Sequence, residues 1–144
     1  MLQKVRFLHT LFEKAVNGKG FDRFLKNVQI LSYADGKCKA QFTVTEEHLN
    51  AIGTLHGGFT SSIIDVISSY ALTSYQTGKP AGASVDLHVT FLKAAFPGEV
   101  VTVNAETIRA GKTLAFLAVE LTKNDGKDVV ARGQHTKYLV PIKK

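Results

Sequence analysis

Cysteine occurs once in the 144-residue sequence, at position 38, so no internal disulfide framework is possible and a reducing compartment fits. The five histidines fall at no metal-ligand spacing, which argues against a zinc centre; no metal and no separate cofactor are expected. No apolar run approaches the ~20 residues of a membrane-spanning helix. No Gly-x-Ser-x-Gly elbow is present, which argues against a serine-nucleophile triad. The formal net charge is +6 and the pI near 9.5. The basic residues are dispersed rather than clustered with aromatics, so nucleic acid is a poor partner; a phosphate-bearing small molecule and a merely soluble basic surface both fit the charge.

What is present suffices for one ordinary domain over residues 1–144. The first 19 residues carry Lys4, Arg6, Lys14 and Lys19 against Glu13. Leu2, Val5, Leu8 or His9, Phe12 and Val16 place one apolar stripe on this segment, which predicts a helix docked on the domain. The same basic amphipathic pattern also suits a mitochondrial leader, so the expected setting is cytoplasmic or mitochondrial. Asn17 to Gly20 ends the helix. A strand over 28–34 and an alternating strand from Cys38 to Val44 are joined by an Asp35-Gly36 turn. A long helix is expected from about Gly57 to Thr77, closed by Gly78-Lys79-Pro80.

The rest reads as strand. Val85, Leu87, Val89 and Phe91 alternate with Ser84, Asp86, His88 and Thr90, and three more strands follow, turned at Pro97-Gly98, Ala110 to Lys112 and Asn124 to Lys127. An antiparallel meander needs a partner layer, and the long helix is the only apolar element able to supply it. That helix is apolar or small nearly all round, as expected of a helix wrapped by sheet. The fold class is therefore α+β: a curved antiparallel sheet around a central helix, the hotdog arrangement.

One charge breaks that helix. Between Glu47 and Lys79, Asp65 is the only Asp, Glu, Lys or Arg, and its neighbours are Ile63, Ile64, Val66 and Ile67. A carboxylate in such company is costly unless partnered: it is either a buried structural Asp hydrogen-bonded to serines of its own or a neighbouring helix, or, facing a dry cleft, a general base or nucleophile. His56-Gly57-Gly58 leads into the same helix. There a glycine N–H is a candidate oxyanion donor, although a plain tight turn explains the glycines equally. Asn50 and His56 are candidate positioners of water or carbonyl; each also suits a turn or helix entry. Ser84 is placed to bond water or Asp65.

Gly57 and Asp65 are eight residues apart, so on one helix they stand ~12 Å apart along the axis. One carbonyl cannot sit ~3 Å from both. If both act, the site joins two subunits.

These residues resemble the hotdog-fold acyl-coenzyme A thioesterases. The shared blocks are Glu46 to Gly58, Asp65, Ser84 to Asp86, Gly111 to Phe116 and Gly133 to Lys137, which together cover nearly the whole chain. The resemblance implies hydrolysis of a medium- or long-chain acyl thioester to free acid and coenzyme A. Gly57 would polarise the carbonyl, helped by Asn50 and His56, and Asp65 on the facing subunit would act with Ser84 beside it. It also implies a homo-oligomer, commonly a dimer of dimers. Coenzyme A, a part of substrate and product, would lie near Ser84, Asp86, Phe91, Lys93, Arg109, Gly111, Lys112, Thr113, Lys137 and Tyr138. The alternatives are a thioesterase for aryl-coenzyme A substrates, a hydratase on the same fold, and a non-catalytic acyl-thioester binding protein.

Overall fold

The structure is a computed structural model that describes residues 2–75 and 81–139. Helix α1 (Leu2–Val16) leads through a 3-10 turn (Phe21–Leu25) to strands β1 (Gln29–Ala34) and β2 (Lys37–Thr43). A second 3-10 turn (Glu46–His48) precedes helix α2 (Gly57–Tyr75), and β3 (Ala83–Phe91), β4 (Val100–Ala110), β5 (Leu114–Lys123) and β6 (Asp128–Tyr138) follow. All six strands form one antiparallel sheet in the order β1-β2-β4-β5-β6-β3. The expected order of elements is present; the two 3-10 turns carry no periodic signal and were not anticipated. The expected stop of the long helix at Gly78 to Pro80 lies outside the described residues.

Local chemistry explains the turns. Asp35 and Gly36 both take positive φ (51° and 81°), the backbone that lets a two-residue hairpin follow the strand twist. In β2, Cys38, Ala40 and Phe42 are buried while Lys37 and Lys39 face water. Helix α1 docks through Leu8, Phe12 and Val16, with Phe12 edge-on to Tyr70 at 5.9 Å; His9 is exposed. No helix among the described residues is long and apolar enough to cross a membrane.

The core lies between α2 and the inner face of the sheet. Ile63, Ile64 and Ile67 are fully buried against residues that include Ala40, Phe42, Val101, Val103, Leu121 and Ala131. Each such side chain contributes about 1.5–3 kcal/mol by leaving water. Where α2 lies over β6, a Cβ on Gly133 would stand 2.7 Å from Ile64 Cγ2, so any larger residue forces the helix or the Ile64 side chain to shift.

Helix α2 is not wrapped all round. Ser62, Asp65, Val66, Ser69 and Thr73 are only half-buried and mark one open face along the helix. The apolar pattern led us to expect full cover by the chain's own sheet. The chain's six strands cover the other faces and leave this one open.

A second departure is in β3. Its pairing with β6 shifts between Ser84 and Asp86, so Val85 and Asp86 together oppose Thr136. This bulge turns Ser84 to the face that carries Leu87 and leaves Val85 61% exposed. Simple alternation had placed Ser84 and Leu87 on opposite faces.

Candidate active site

Asp65 sits two turns into α2 on its open face, its side chain 43% exposed. It is therefore not the sealed carboxylate that its neighbours in sequence imply. It borders a cleft of about 340 Å³ that is lined also by Phe21, Asp22, Ser62, Val66, Ser69 and Tyr70.

Its backbone carbonyl accepts two hydroxyls, from Ser68 at 3.0 Å and from Ser69 at 2.8 Å. Each serine meets a basic residue of β6. Ser68 Oγ lies 2.8 Å from His135 Nδ1, and Lys137 Nζ donates to Ser69 Oγ at 2.7 Å. Positions 135 and 137 share the inward face of β6 because side chains alternate along a strand, and the adjacent serines of the helix meet them in turn. The turn of helix that bears Asp65 is thus braced by a histidine and a lysine.

On the carboxylate side, Ser84 Oγ stands 3.5 Å from Asp65 Oδ1 and 2.8 Å from His135 Nε2. His135 Nε2 is itself 3.8 Å from Asp65 Oδ1. Burial pushes the His135 imidazole below its ordinary value, with the Asp65 charge opposing that shift. Lys137 is lowered by burial as well, again opposed by Asp65. Its position near a strand end suggested a surface lysine reaching for phosphate. Being only 5% exposed and bonded to Ser69, it is instead part of the wall behind Asp65.

A second cluster forms at the start of α2. His56 Nδ1 accepts the Gly58 N–H at 2.7 Å, which caps the helix and leaves the proton of the neutral ring on Nε2. A Cβ on Gly58 would come 3.0 Å from that ring. The Gly57 N–H has no acceptor among the described residues. Phe91, 59% exposed, packs its ring where a Gly57 side chain would begin, 3.2 Å from that Cβ position. The Gly57 N–H, beside the Phe91 ring, and the His56 Nε2–H are therefore two donors without an acceptor among the described residues. Asn50 does not join them. Its Oδ1 accepts the Ile52 and Thr54 N–H groups and its Nδ2 donates to Thr54 Oγ1, so its amide organises its own turn.

The two clusters lie at opposite ends of β3. Ser84 and Phe91 are seven residues apart, ~24 Å along the strand. The residues expected around the nucleotide divide between these ends. Asp86, Tyr138 and the turn that bears Arg109, Gly111, Lys112 and Thr113 are at the Ser84 end, since Ala115 pairs with Lys137 and Lys137 with Ser84. Lys93 follows Phe91 at the other end and is ion-paired to Asp128 at 2.7 Å. The Gly111 N–H is used on Leu114 within its hairpin, so this turn offers the exposed cations Arg109 and Lys112 rather than that amide.

The sequence model of the family described as Thioesterase superfamily matches residues 52–130, which span the second cluster, Asp65 and Ser84. Human acyl-coenzyme A thioesterase 13 is 39% identical over 139 residues, covering 96% of this chain and 99% of that protein. The chain belongs to the thioesterase superfamily. Among solved structures of this kind, thioesterase superfamily member 2 of zebra fish superposes with a TM-score of 0.87 at 40% identity, covering 91% of this chain and 94% of its own. A hypothetical thioesterase from Streptococcus pneumoniae, solved with coenzyme A, superposes with a TM-score of 0.75 at 25% identity over 83% of this chain and 90% of its own. The hotdog arrangement of sheet and helix is thus shared with the family's structures.

Sequence reasoning gave no site role to Ser68, Ser69 or His135, although His135 lies in a block shared with the family. The available signal was modest: on a strand whose inward face is otherwise Ala131 and Gly133, positions 135 and 137 are polar. Two polar side chains at inward positions need partners.

Proposed function

We propose that the chain hydrolyses medium- and long-chain fatty acyl-coenzyme A to free fatty acid and coenzyme A, at a site completed by two copies of the chain. The observation that carries this reading is the separation of the two clusters. Gly57 and His56 offer N–H donors suited to a carbonyl oxygen, and Asp65 with Ser84 offers the attacking side. On one helix they stand ~12 Å apart, too far to serve one carbonyl. Strand β3 is an edge of the sheet, with Val85 and Phe91 exposed on it, and α2 is open along the face that bears Asp65. An antiparallel β3–β3 pairing would set the Gly57 end of one chain beside the Asp65 end of the other and would cover an edge that otherwise invites pairing. Further association of such dimers into a dimer of dimers is part of the same reading.

In this site the Gly57 N–H stabilises the charge that develops on the thioester oxygen, with the His56 Nε2–H beside it. Asp65 delivers the attack, by taking a proton from water or by bonding to the carbonyl carbon itself. In the first case the water oxygen bonds to carbon, its proton moves to Asp65, the C–S pair leaves on sulfur, and that proton returns to the thiolate. In the second the Asp65 oxygen bonds to carbon, the C–S pair leaves on sulfur, and water then cleaves the mixed anhydride to free acid and Asp65, its released proton going to the thiolate. Phe21, Val66 and Tyr70 give the cleft beside Asp65 an apolar side for an alkyl chain. The exposed Arg109 and Lys112 suit the phosphates of coenzyme A. Human acyl-coenzyme A thioesterase 13 and the coenzyme A-bound streptococcal relative support both halves of the substrate.

The test is thiol release from a panel of acyl- and aryl-coenzyme A thioesters by wild type and Asp65→Asn. Cys38 does not disturb a thiol reagent: it is buried, and burial pushes its thiol up to about 12. Release that rises with acyl length and falls at least ~100-fold in the variant supports the reading. Preference for aryl thioesters overturns the fatty-acyl assignment, and binding without release makes the chain a binding module.

A further inference from the structure

We propose that His135 is a positioning residue for hydrolysis: held in one tautomer by Ser68, it turns the Ser84 hydroxyl away from Asp65, so that Ser84 stands beside the carboxylate as a hydrogen-bond acceptor. The inference rests on the hydrolytic reading of Asp65 and Ser84.

Hydrogen counting carries it. Ser68 has one hydroxyl proton and Ser84 has one. If Ser68 donates to the Asp65 carbonyl, His135 Nδ1–H donates to Ser68, Nε2 is bare, and Ser84 donates to Nε2. The bonds are then 3.0, 2.8 and 2.8 Å. In the reverse polarity Ser68 donates to Nδ1, Nε2–H donates to Ser84, and Ser84 donates to Asp65 Oδ1, at 2.8, 2.8 and 3.5 Å. The first arrangement gives every proton a good acceptor and the second ends on a long contact. Ser68 back-bonding to a helix carbonyl is also the ordinary behaviour of a helical serine.

The consequence falls on the reaction. With its proton committed to His135, Ser84 offers only lone pairs on its exposed side, and Asp65 as a carboxylate does the same. A water seated on Asp65 gives it a hydrogen, meets no donor at Ser84, and so keeps its unshared pairs for carbon. That is the geometry of a base-activated water, with Asp65 taking the proton, rather than of a carboxylate attacking carbon itself. The groups that face His135 are Asp65 and Ser68 from α2, Ser84 and Asp86 from β3, and Lys137 along β6; Leu117 of β5 is its apolar neighbour in the sheet. Protonation of His135 would place a hydrogen on Nε2 and reverse Ser84. Burial keeps the ring neutral to below its ordinary ~6.5, so the active polarity is present at neutral pH and is lost on acidification.

Nitrogen-15 NMR of the histidine rings reads the tautomer directly on the wild-type protein. His48 and His56 each accept a backbone N–H on Nδ1, which gives both the Nε2–H form. His135 is expected as Nδ1–H; an Nε2–H signal that disappears in His135→Gln overturns the proposal. In kinetics, His135→Gln is expected to lower kcat by roughly 10- to 100-fold with little change in KM, and to move the acid limb of the kcat profile. Ser68→Ala keeps the ring and removes its lock, so it should lower kcat in the same direction and lose the single tautomer, even if the histidine variant folds poorly. Wild-type thiol release with an unchanged acid limb in His135→Gln, or an unchanged kcat and tautomer in Ser68→Ala, overturns this inference alone. Absence of thiol release from the wild type removes the hydrolytic reading beneath it.

Discussion

Gly133→Ala should damage fold and site together. Its new methyl carbon would stand 2.7 Å from Ile64 Cγ2 and 3.0 Å from Cδ1, against a comfortable carbon separation of ~3.5–4.0 Å. Helix α2 or the Ile64 side chain must yield by roughly 1 Å, and overpacking of this kind costs about 1–3 kcal/mol. For a chain of this size that lowers Tm by roughly 3–10 °C. Ile64 adjoins Asp65 in α2, and His135 follows Gly133 on the same face of β6, so the displacement opens the gap between Asp65 and the Ser84–His135 pair. A ~1 Å misplacement is worth up to ~100-fold in rate. Thermal melts give the first quantity, and acyl-coenzyme A hydrolysis well below Tm gives the second. Ile64→Ala alone should cost about 2–5 kcal/mol as a cavity, but it removes all three Ile64 atoms nearest to the new methyl. The double variant should therefore be about 1–3 kcal/mol more stable than the sum of the two single losses. Additivity within ~0.5 kcal/mol would show that the helix does not rest on this glycine, and a lower Tm with unchanged kcat would separate the packing from the chemistry.

Three further outcomes are expected. Asp65→Asn and Gly57→Val, each inactive alone, should regain about a quarter of wild-type activity when refolded together, because half of random dimers are mixed and each mixed dimer holds one intact site of two; no recovery in verified mixed dimers refutes the shared site. Stability should fall below pH ~6.5, because His48 and His135 are both lowered by burial and the unfolded chain then binds protons that the folded chain refuses. In Tm measured against pH that acid loss should shrink in His135→Gln. Arg109→Ala and Lys112→Ala should raise KM several-fold with kcat nearly unchanged, and the wild-type KM should rise with salt; an equal fall in kcat would place these residues in the chemistry instead.

Much of the fold was legible because its periods are clean. Cys38, Ala40 and Phe42 alternate without error, and the apolar run from Gly57 has the length only of a helix. The bulge at Val85-Asp86 was not legible, since an extra residue in a strand leaves the alternation of Ser84 to Phe91 intact on paper while turning Ser84 over in space. For the site, Gly57, Asp65 and Ser84 stood out through local contrast: a glycine before a helix, a lone charge, a polar residue at a strand start. The brace behind Asp65 did not, because Ser68 and His135 are 67 residues apart and meet only through the register of β6 beneath the helix. Asn50 shows the opposite case. Its residue type suits a carbonyl positioner, while the turn it organises takes its Oδ1 and one of its two Nδ2 hydrogens.

The cost of that brace shows which link it serves. Lys137 and His135 are both pushed by burial toward their neutral forms, so each holds its place against desolvation rather than because of it. An apolar pair on that face of β6 would bury as much surface without the penalty, since buried charge adds little net stability compared with packed hydrocarbon. What an apolar pair could not do is hold Ser68 and Ser69 on the Asp65 carbonyl while setting the direction of the Ser84 proton. Stability asks only for glycine at position 133, to bring the helix down; the polarity of positions 135 and 137 answers to the carboxylate above them. The same strand thus fixes the height of α2 with one residue and the electrostatics of its acid with the next two inward residues. This is why a substitution at any of the three should be read in rate as well as in Tm.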